Sequence, residues 1–308
     1  MTITSASPSA ILPAPETVPV TVLCDERCHL GEGPAYDAAS DTAWWFDIIE
    51  RRLFEARLGT GEIVVHALPL MASALATVDD GRQMLATEQG LMLRDIATGA
   101  LEMLAPVEAA TPATRSNDAR VHPSGTFWFS TMGRQAEPGA GTIYAYRAGT
   151  VQALFPGITI PNAICFSADG ATGYFADTAA NALYRVRLDP ATGLPLEAPA
   201  VIHRHRDEGG LDGAVVDAEG LLWCAIWGGA RLNAYSPEGD PVRSVAVPAR
   251  QASCPVFVGP AFDRVLVTSA WQHMDEADRA ADPHHGKTFL LDIGARGRAE
   301  PRARLGAM

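Results

Sequence analysis

One polar position, recurring at a fixed place in a long repeat, constrains this chain more than any other feature. The segments opening at Asn117 and at Asp212 share a pattern: an amide or carboxylate, an apolar run, a turn at Gly125 or Gly220, and a restart at Trp128 or Trp223, eleven residues on. Ser73 stands eleven before Met84, and Cys254 eleven before Val265. Asn162 precedes Tyr174 by twelve and Glu32 precedes Trp44 by twelve, which fits one extra turn residue in each. The reference positions 44, 84, 128, 174, 223 and 265 are thus spaced at blade length, roughly 40–50 residues.

Each unit reads as short strands split by turn signals. Asp189-Pro190-Ala191-Thr192-Gly193 and Ser236-Pro237-Glu238-Gly239 mark turns. Period-2 runs such as Thr142–Tyr146 and Ala182–Leu188 lie between them, and no long amphipathic helix pattern occurs. Six such units predict an all-β chain, a six-bladed β-propeller whose ring leaves only short, protected edges. The period is too long for a β-helix and too regular for a pair of sandwiches. A ring of blades is one closed unit, so the expected organisation is a flexible leader over 1–19 and a single domain over 20–308.

The leader carries no Lys or Arg and no sustained apolar run, so it does not read as a secretory signal. No stretch is long and apolar enough to span a membrane. The formal charge of −12 argues against nucleic acid or an anionic membrane as partner. Five cysteines, an odd number without a signal peptide, suit a reduced, cytoplasmic protein with buried thiols. Cys24 and Cys28 lack the second pair that a zinc site needs.

Equivalent positions in a closed ring face one another across its axis. Glu32, Asn117, Asn162 and Asp212 should therefore converge at one mouth of the central channel. Such an all-oxygen set suits a hard divalent cation, and three protein ligands would leave room for water and substrate. Asn and Asp at a repeat start also make ordinary turns. Glu32 favours the site, because Glu is a poor turn residue and stands between Gly31 and Gly33.

At this point the chain resembles the gluconolactonase/regucalcin/luciferin-regenerating-enzyme family of six-bladed propellers, from about Cys24 to the last blade. The marks are Leu30-Gly31-Glu32-Gly33-Pro34 with Trp44-Trp45-Phe46-Asp47, then Arg115-Ser116-Asn117-Asp118, Pro161-Asn162-Ala163 with Tyr174-Phe175-Ala176-Asp177, Leu211-Asp212-Gly213, and Trp227-Gly228-Gly229. The resemblance implies one divalent metal ion held by Glu32, Asn162 and Asp212. Ca²⁺ is the first choice, with Zn²⁺, Mn²⁺, Mg²⁺ or Fe²⁺ as alternatives. It implies substrate contacts from Arg115 and Asn117, and a sugar lactone as the substrate, opened by water to the aldonic acid. The chain departs from the family at Ala163, where Gly is common, and at Leu211, where Pro is common. It departs again after Thr131-Met132, where Gly133-Arg134-Gln135 replaces a sugar-contacting Glu. Gln135 is assigned to substrate contact, and a different sugar preference is expected.

The chemistry follows from these groups. A cation polarises the lactone carbonyl and stabilises the oxyanion. Asp212, beside Gly213, is the candidate general base toward water. Arg115 offers a fork of donors, and Asn117 both donates and accepts. Competing readings are a calcium-binding regulatory propeller without catalysis, a scaffold for protein partners, and an esterase or phosphotriesterase on the same fold. The oligomeric state is left open. Gly286-Lys287-Thr288 does not complete a phosphate loop, since Ala281 stands where its first Gly belongs. No Gly-x-Ser-x-Gly elbow occurs. The His203-Arg204-His205-Arg206 and His284-His285 stretches read as solvated loops. Trp227 and Trp271 are candidates for the substrate mouth or for packing.

Overall fold

The computed structural model describes residues 12–306. Among them, six four-stranded antiparallel sheets close into a ring, a six-bladed β-propeller. The innermost strands are Gly31–Asp37, Ala72–Asp79, Thr114–Val121, Pro161–Phe166, Gly210–Val216 and Ala252–Val258, in blades 1 to 6. Blade 6 draws its strands from both ends of the chain: Val20–Cys24 pairs with Thr288–Leu291, which pairs with Arg264–Ser269. Among the described residues the one α-helix is Glu276–Ala281, and no helix is long and apolar enough to cross a membrane.

The repeat register holds in every blade. Trp44, Met84, Trp128, Tyr174, Trp223 and Val265 pair with Ala35, Ala76, Arg120, Cys165, Val215 and Phe257. Each partner lies three residues beyond the repeat's polar position. The pairing breaks at or just after the polar position: all six inner strands carry a bulge there, from Glu32/Ala35 in blade 1 to Ala252/Pro255 in blade 6. A bulge leaves residues unpaired, bends the strand and re-aims side chains. The same irregularity, repeated at one end of every inner strand, turns one mouth of the channel into a polar surface.

Between the blades the cores are apolar. The reference residues are buried, and Met84, Trp128, Trp223 and Val265 are fully so. Hydrophobic clusters join facing sheets, as where Leu211, Ala214 and Ile226 of blade 5 meet Ala163, Cys165 and Ala176 of blade 4. Asp47 and Asp177, at the ends of equivalent second strands, lock equivalent loops. Asp47 accepts from the backbone N–H groups of His29 and Leu30, and Asp177 from those of Thr159 and Ile160.

Residues 1–11 of the expected leader lie outside the described residues. Further along it, Glu16 pairs with blade 5 through Val245 and forms an ion pair with Arg243. All five cysteines are unpaired and buried. The histidine stretches differ from the solvated loops expected. His203 lies in an outer strand, and both His205 and His285 are buried.

Candidate functional site

Glu32, Arg115, Asn117, Gln135, Asn162 and Asp212 line one cavity of about 230 Å³ at the bulged mouth of the channel. Leu30, Met132, Ile160 and Trp227 supply its apolar wall. Trp227 thus faces the cavity, whereas Trp271 stacks on His29, ring centroids 3.9 Å apart, and is not part of that wall.

The bulges explain the convergence. In blade 1, Gly33 adopts φ +54°, and a Cβ there would stand 1.8 Å from the Ser73 carbonyl oxygen. Only glycine allows blades 1 and 2 to approach this closely. Ala163 holds the same backbone angle in blade 4, as a buried alanine at φ 54°. In blade 5, Gly213 serves close packing. A Cβ on it would meet the Cys254 sulfur at 2.3 Å, so Cys254 of blade 6 fills the space behind Asp212.

A hydrogen-bonded chain runs across three blades. Arg115 donates from Nη1 to Asn117 Oδ1 at 2.8 Å. Asn117 donates from Nδ2 to Asn162 Oδ1 at 2.9 Å and to the Pro161 carbonyl at 2.9 Å. Asn162 donates to Thr178 Oγ1 at 2.9 Å, and Thr178 donates to the Leu211 carbonyl at 2.6 Å, next to Asp212. Each amide orientation is fixed by its partners.

Glu32 and Asp212 form the anionic part. Burial first, then the charge of Asp118, pushes the Glu32 carboxyl up to about 8. Burial, then the charge of Glu32, raises Asp212 well above the usual carboxylate range. Arg115 opposes both shifts, and burial lowers its own guanidinium to about 10, which leaves it charged at neutral pH. A buried Asp212 beside a half-buried Glu32, both raised by desolvation and by neighbouring carboxylates, marks a place short of positive charge.

This donor set fits a divalent cation. Glu32 and Asp212 supply two anionic oxygens, and Asn162 Oδ1 has a second lone pair beside the one facing Asn117. Among the described residues no group of three or more His, Cys, Asp or Glu side chains is arranged to hold a metal ion. The candidate set is two carboxylates and one amide, a composition that the repeat register brings into view.

Sequence reasoning missed four contributors. Thr178 ends the hydrogen-bonded chain, and Arg134, Gln272 and His273 complete the cavity wall. Arg134 is held by an ion pair with Glu88 and by the Pro112 carbonyl at 2.8 Å. Asp118 lay within a quoted motif but without a role. Its carboxylate accepts from Ile164 N–H at 2.7 Å and Ala119 N–H at 2.8 Å, tying the bulge of blade 3 to that of blade 4. Burial raises it to about 6, against the pull of Arg120.

The chain as a whole is similar to proteins already known. A Rhizobium meliloti (strain 1021) protein whose name proposes a sugar lactone lactonase is 51% identical over 284 residues, covering 92% of this chain and 96% of its own. The L-arabinolactonase of Azospirillum brasilense is 33% identical over 287 residues, covering 92% and 94%. The crystal structure of a calcium-binding protein, regucalcin, from Agrobacterium tumefaciens str. C58 superposes with a TM-score of 0.94 at 49% identity, over 96% of this chain and 100% of that one. Residues 30–271 match the SMP-30/Gluconolactonase/LRE-like region, and the chain belongs to that family.

Proposed function

We propose that this chain hydrolyses a sugar lactone to the aldonic acid, with one divalent cation held by Glu32, Asn162 and Asp212. The observation that carries the reading is the single cavity that gathers these three residues with Arg115, Asn117 and Gln135. Similarity to proteins named as a sugar lactone lactonase and an L-arabinolactonase supports the substrate class. Ca²⁺ is the first cation to test, given the calcium-binding relative of known structure.

When bound, the cation supplies Lewis-acid polarisation of the lactone carbonyl. The protein's own groups do the rest. Asp212 takes a proton from the attacking water as its oxygen adds to the carbonyl carbon. The ring C–O bond then breaks, and the proton returns to the departing alkoxide, giving one alcohol and one carboxylic acid. Arg115 spends Nη1 on Ser116 and Asn117, and its other donors are left for the substrate in this reading. The chain from Arg115 to Thr178 fixes which way each amide points, so donors and acceptors are set before the sugar arrives. Leu30, Met132, Ile160 and Trp227 cover the C–H face of the ring and exclude bulk water. At about 230 Å³ the cavity is smaller than the roughly 300–1,000 Å³ of drug-sized sites, and suits a single sugar ring. The protein acts in this reading as a cytoplasmic enzyme on a small molecule, without nucleic acid or membrane.

The test is proton release from a panel of pentono- and hexonolactones, with and without chelator. Chelator-sensitive acid production from at least one lactone is expected. Calcium binding without hydrolysis of any panel member would favour the regulatory reading. Hydrolysis confined to aryl esters or phosphotriesters would favour a different hydrolase.

A further inference from the structure

The inner strands run from the site to the opposite face of the ring, and the C-terminal segment closes that face. Its backbone bonds to blades 5 and 6 through Arg296 O to Ala218 N–H at 2.7 Å and Gly297 N–H to Phe262 O at 2.8 Å. It then reaches blades 2 and 3, through Ala303 N–H to Thr77 O at 2.8 Å and Arg304 N–H to Gly125 O at 2.9 Å. Glu300 lies midway in this crossing and forms an ion pair with Arg120, which is 8% exposed inside the channel.

Arg120 stands on the inner strand of blade 3 and reaches across the channel. Its Nη2 donates to the Ala214 carbonyl of blade 5 at 3.0 Å and lies 3.9 Å from the Cys254 sulfur. Asp212-Gly213-Ala214 is therefore gripped from behind twice, by Cys254 against Gly213 and by Arg120 at Ala214. Burial alone would weaken the Arg120 charge, and the Glu300 carboxylate beside it more than restores it.

We propose that Arg120 is a positioning residue for Asp212 and that Glu300 holds Arg120 in place, so the C-terminal segment on the far face is a working part of the site. The proposal rests on the reading of Asp212 as cation ligand and base. Removing Glu300 frees the guanidinium to leave the Ala214 carbonyl. It also removes one negative charge from the channel, which leaves Arg120 less neutralised toward the cation, so affinity should fall.

The experiment is a double-mutant cycle of Glu300→Gln and Arg120→Met, read by calorimetric Ca²⁺ and Mn²⁺ titration, lactone kcat and KM, and melting temperature. Glu300→Gln should lower metal affinity and kcat by roughly 10–100-fold, the range for groups that orient metal ligands. It should add nothing in the Arg120→Met background. Arg120→Gln, which also removes the charge, takes that place if Arg120→Met does not fold. Asp80→Asn is the control, since it loosens the same segment at its ion pair with Arg302 without touching Arg120. It should leave metal affinity and kcat at wild-type values. Wild-type titration and kinetics for Glu300→Gln would overturn the proposal, as would full additivity or an equal loss in Asp80→Asn. A wild-type protein without metal-dependent hydrolysis removes the underlying reading and this one with it. An active wild type with an unaffected Glu300→Gln removes this one alone.

Discussion

Asn117 donates to Asn162 Oδ1 across 2.9 Å, so the amide assigned to substrate orients the amide assigned to the cation. The two roles are coupled through one hydrogen bond. Asn117→Ala should therefore weaken Ca²⁺ binding as well as hydrolysis, by roughly 10–100-fold in affinity. Arg115→Ala should raise KM by the equivalent of about 1.5–3 kcal/mol, the worth of a charged hydrogen bond, without weakening the cation. Calorimetry beside kinetics separates the two. Unchanged metal affinity in Asn117→Ala would show that Asn162 is held by Thr178 alone.

Asp212→Asn keeps the side-chain shape and removes the proposed base together with one of two repelling charges. Turnover should fall by at least roughly 10²-fold, the usual cost of a lost acid–base group. The metal-free protein should melt no lower than wild type, because the repulsion from Glu32 is relieved. Retained turnover in a variant that still binds metal would move the base elsewhere.

Glu32 binds its proton more tightly in the native protein than in the unfolded chain, with about 8 against an ordinary 4.5. Between those values the native state holds more protons, so metal-free stability is full at the acid end and declines as pH rises toward 8. Chelator-treated protein should accordingly lose melting temperature from about pH 5 to about pH 8.5, and Ca²⁺ should flatten the slope by replacing the protons. A metal-free melting temperature that climbs across that window would contradict the raised carboxylates.

Gly33 and Ala163 hold the same left-handed angle at the same bulge, with opposite tolerance. Gly33→Ala drives a methyl group into the Ser73 carbonyl. Overpacking and backbone strain together should cost about 2–5 kcal/mol. Ala163→Gly relieves about 1–2 kcal/mol of strain and loses a buried methyl worth about 0.8 kcal/mol. Its stability should therefore stay within about 1 kcal/mol of wild type, on the favourable side. Chemical denaturation of both variants measures the contrast.

The sequence revealed the ring, the register and the convergence of Glu32, Asn117, Asn162 and Asp212, because all four follow from a local repeat that any blade displays by itself. The uniform pairing three residues beyond each polar position reflects that regularity. What stayed hidden depends on closure. Thr178 matters through the Leu211 carbonyl of the next blade, Arg120 through Ala214 two blades away, and Glu300 through a segment with no repeat at all. His205 was hidden for a related reason: its neighbours Arg204 and Arg206 read as solvent-facing, while its own ring turns inward.

The last blade joins Val20–Cys24 to Thr288–Leu291, and this has a consequence for biosynthesis. A ribosome-bound chain that has released blades 1 to 5 already contains Glu32, Asn162 and Asp212, yet its first and fifth blades are not held across a closed axis. Activity should then switch on late, after Leu291 has cleared the exit tunnel, and stalled or nicked products lacking that strand should be silent and not partially active. On the proposed function, the seam between Val20–Cys24 and Thr288–Leu291 would act as a proofreading latch, because the proposed cation site needs the closed ring.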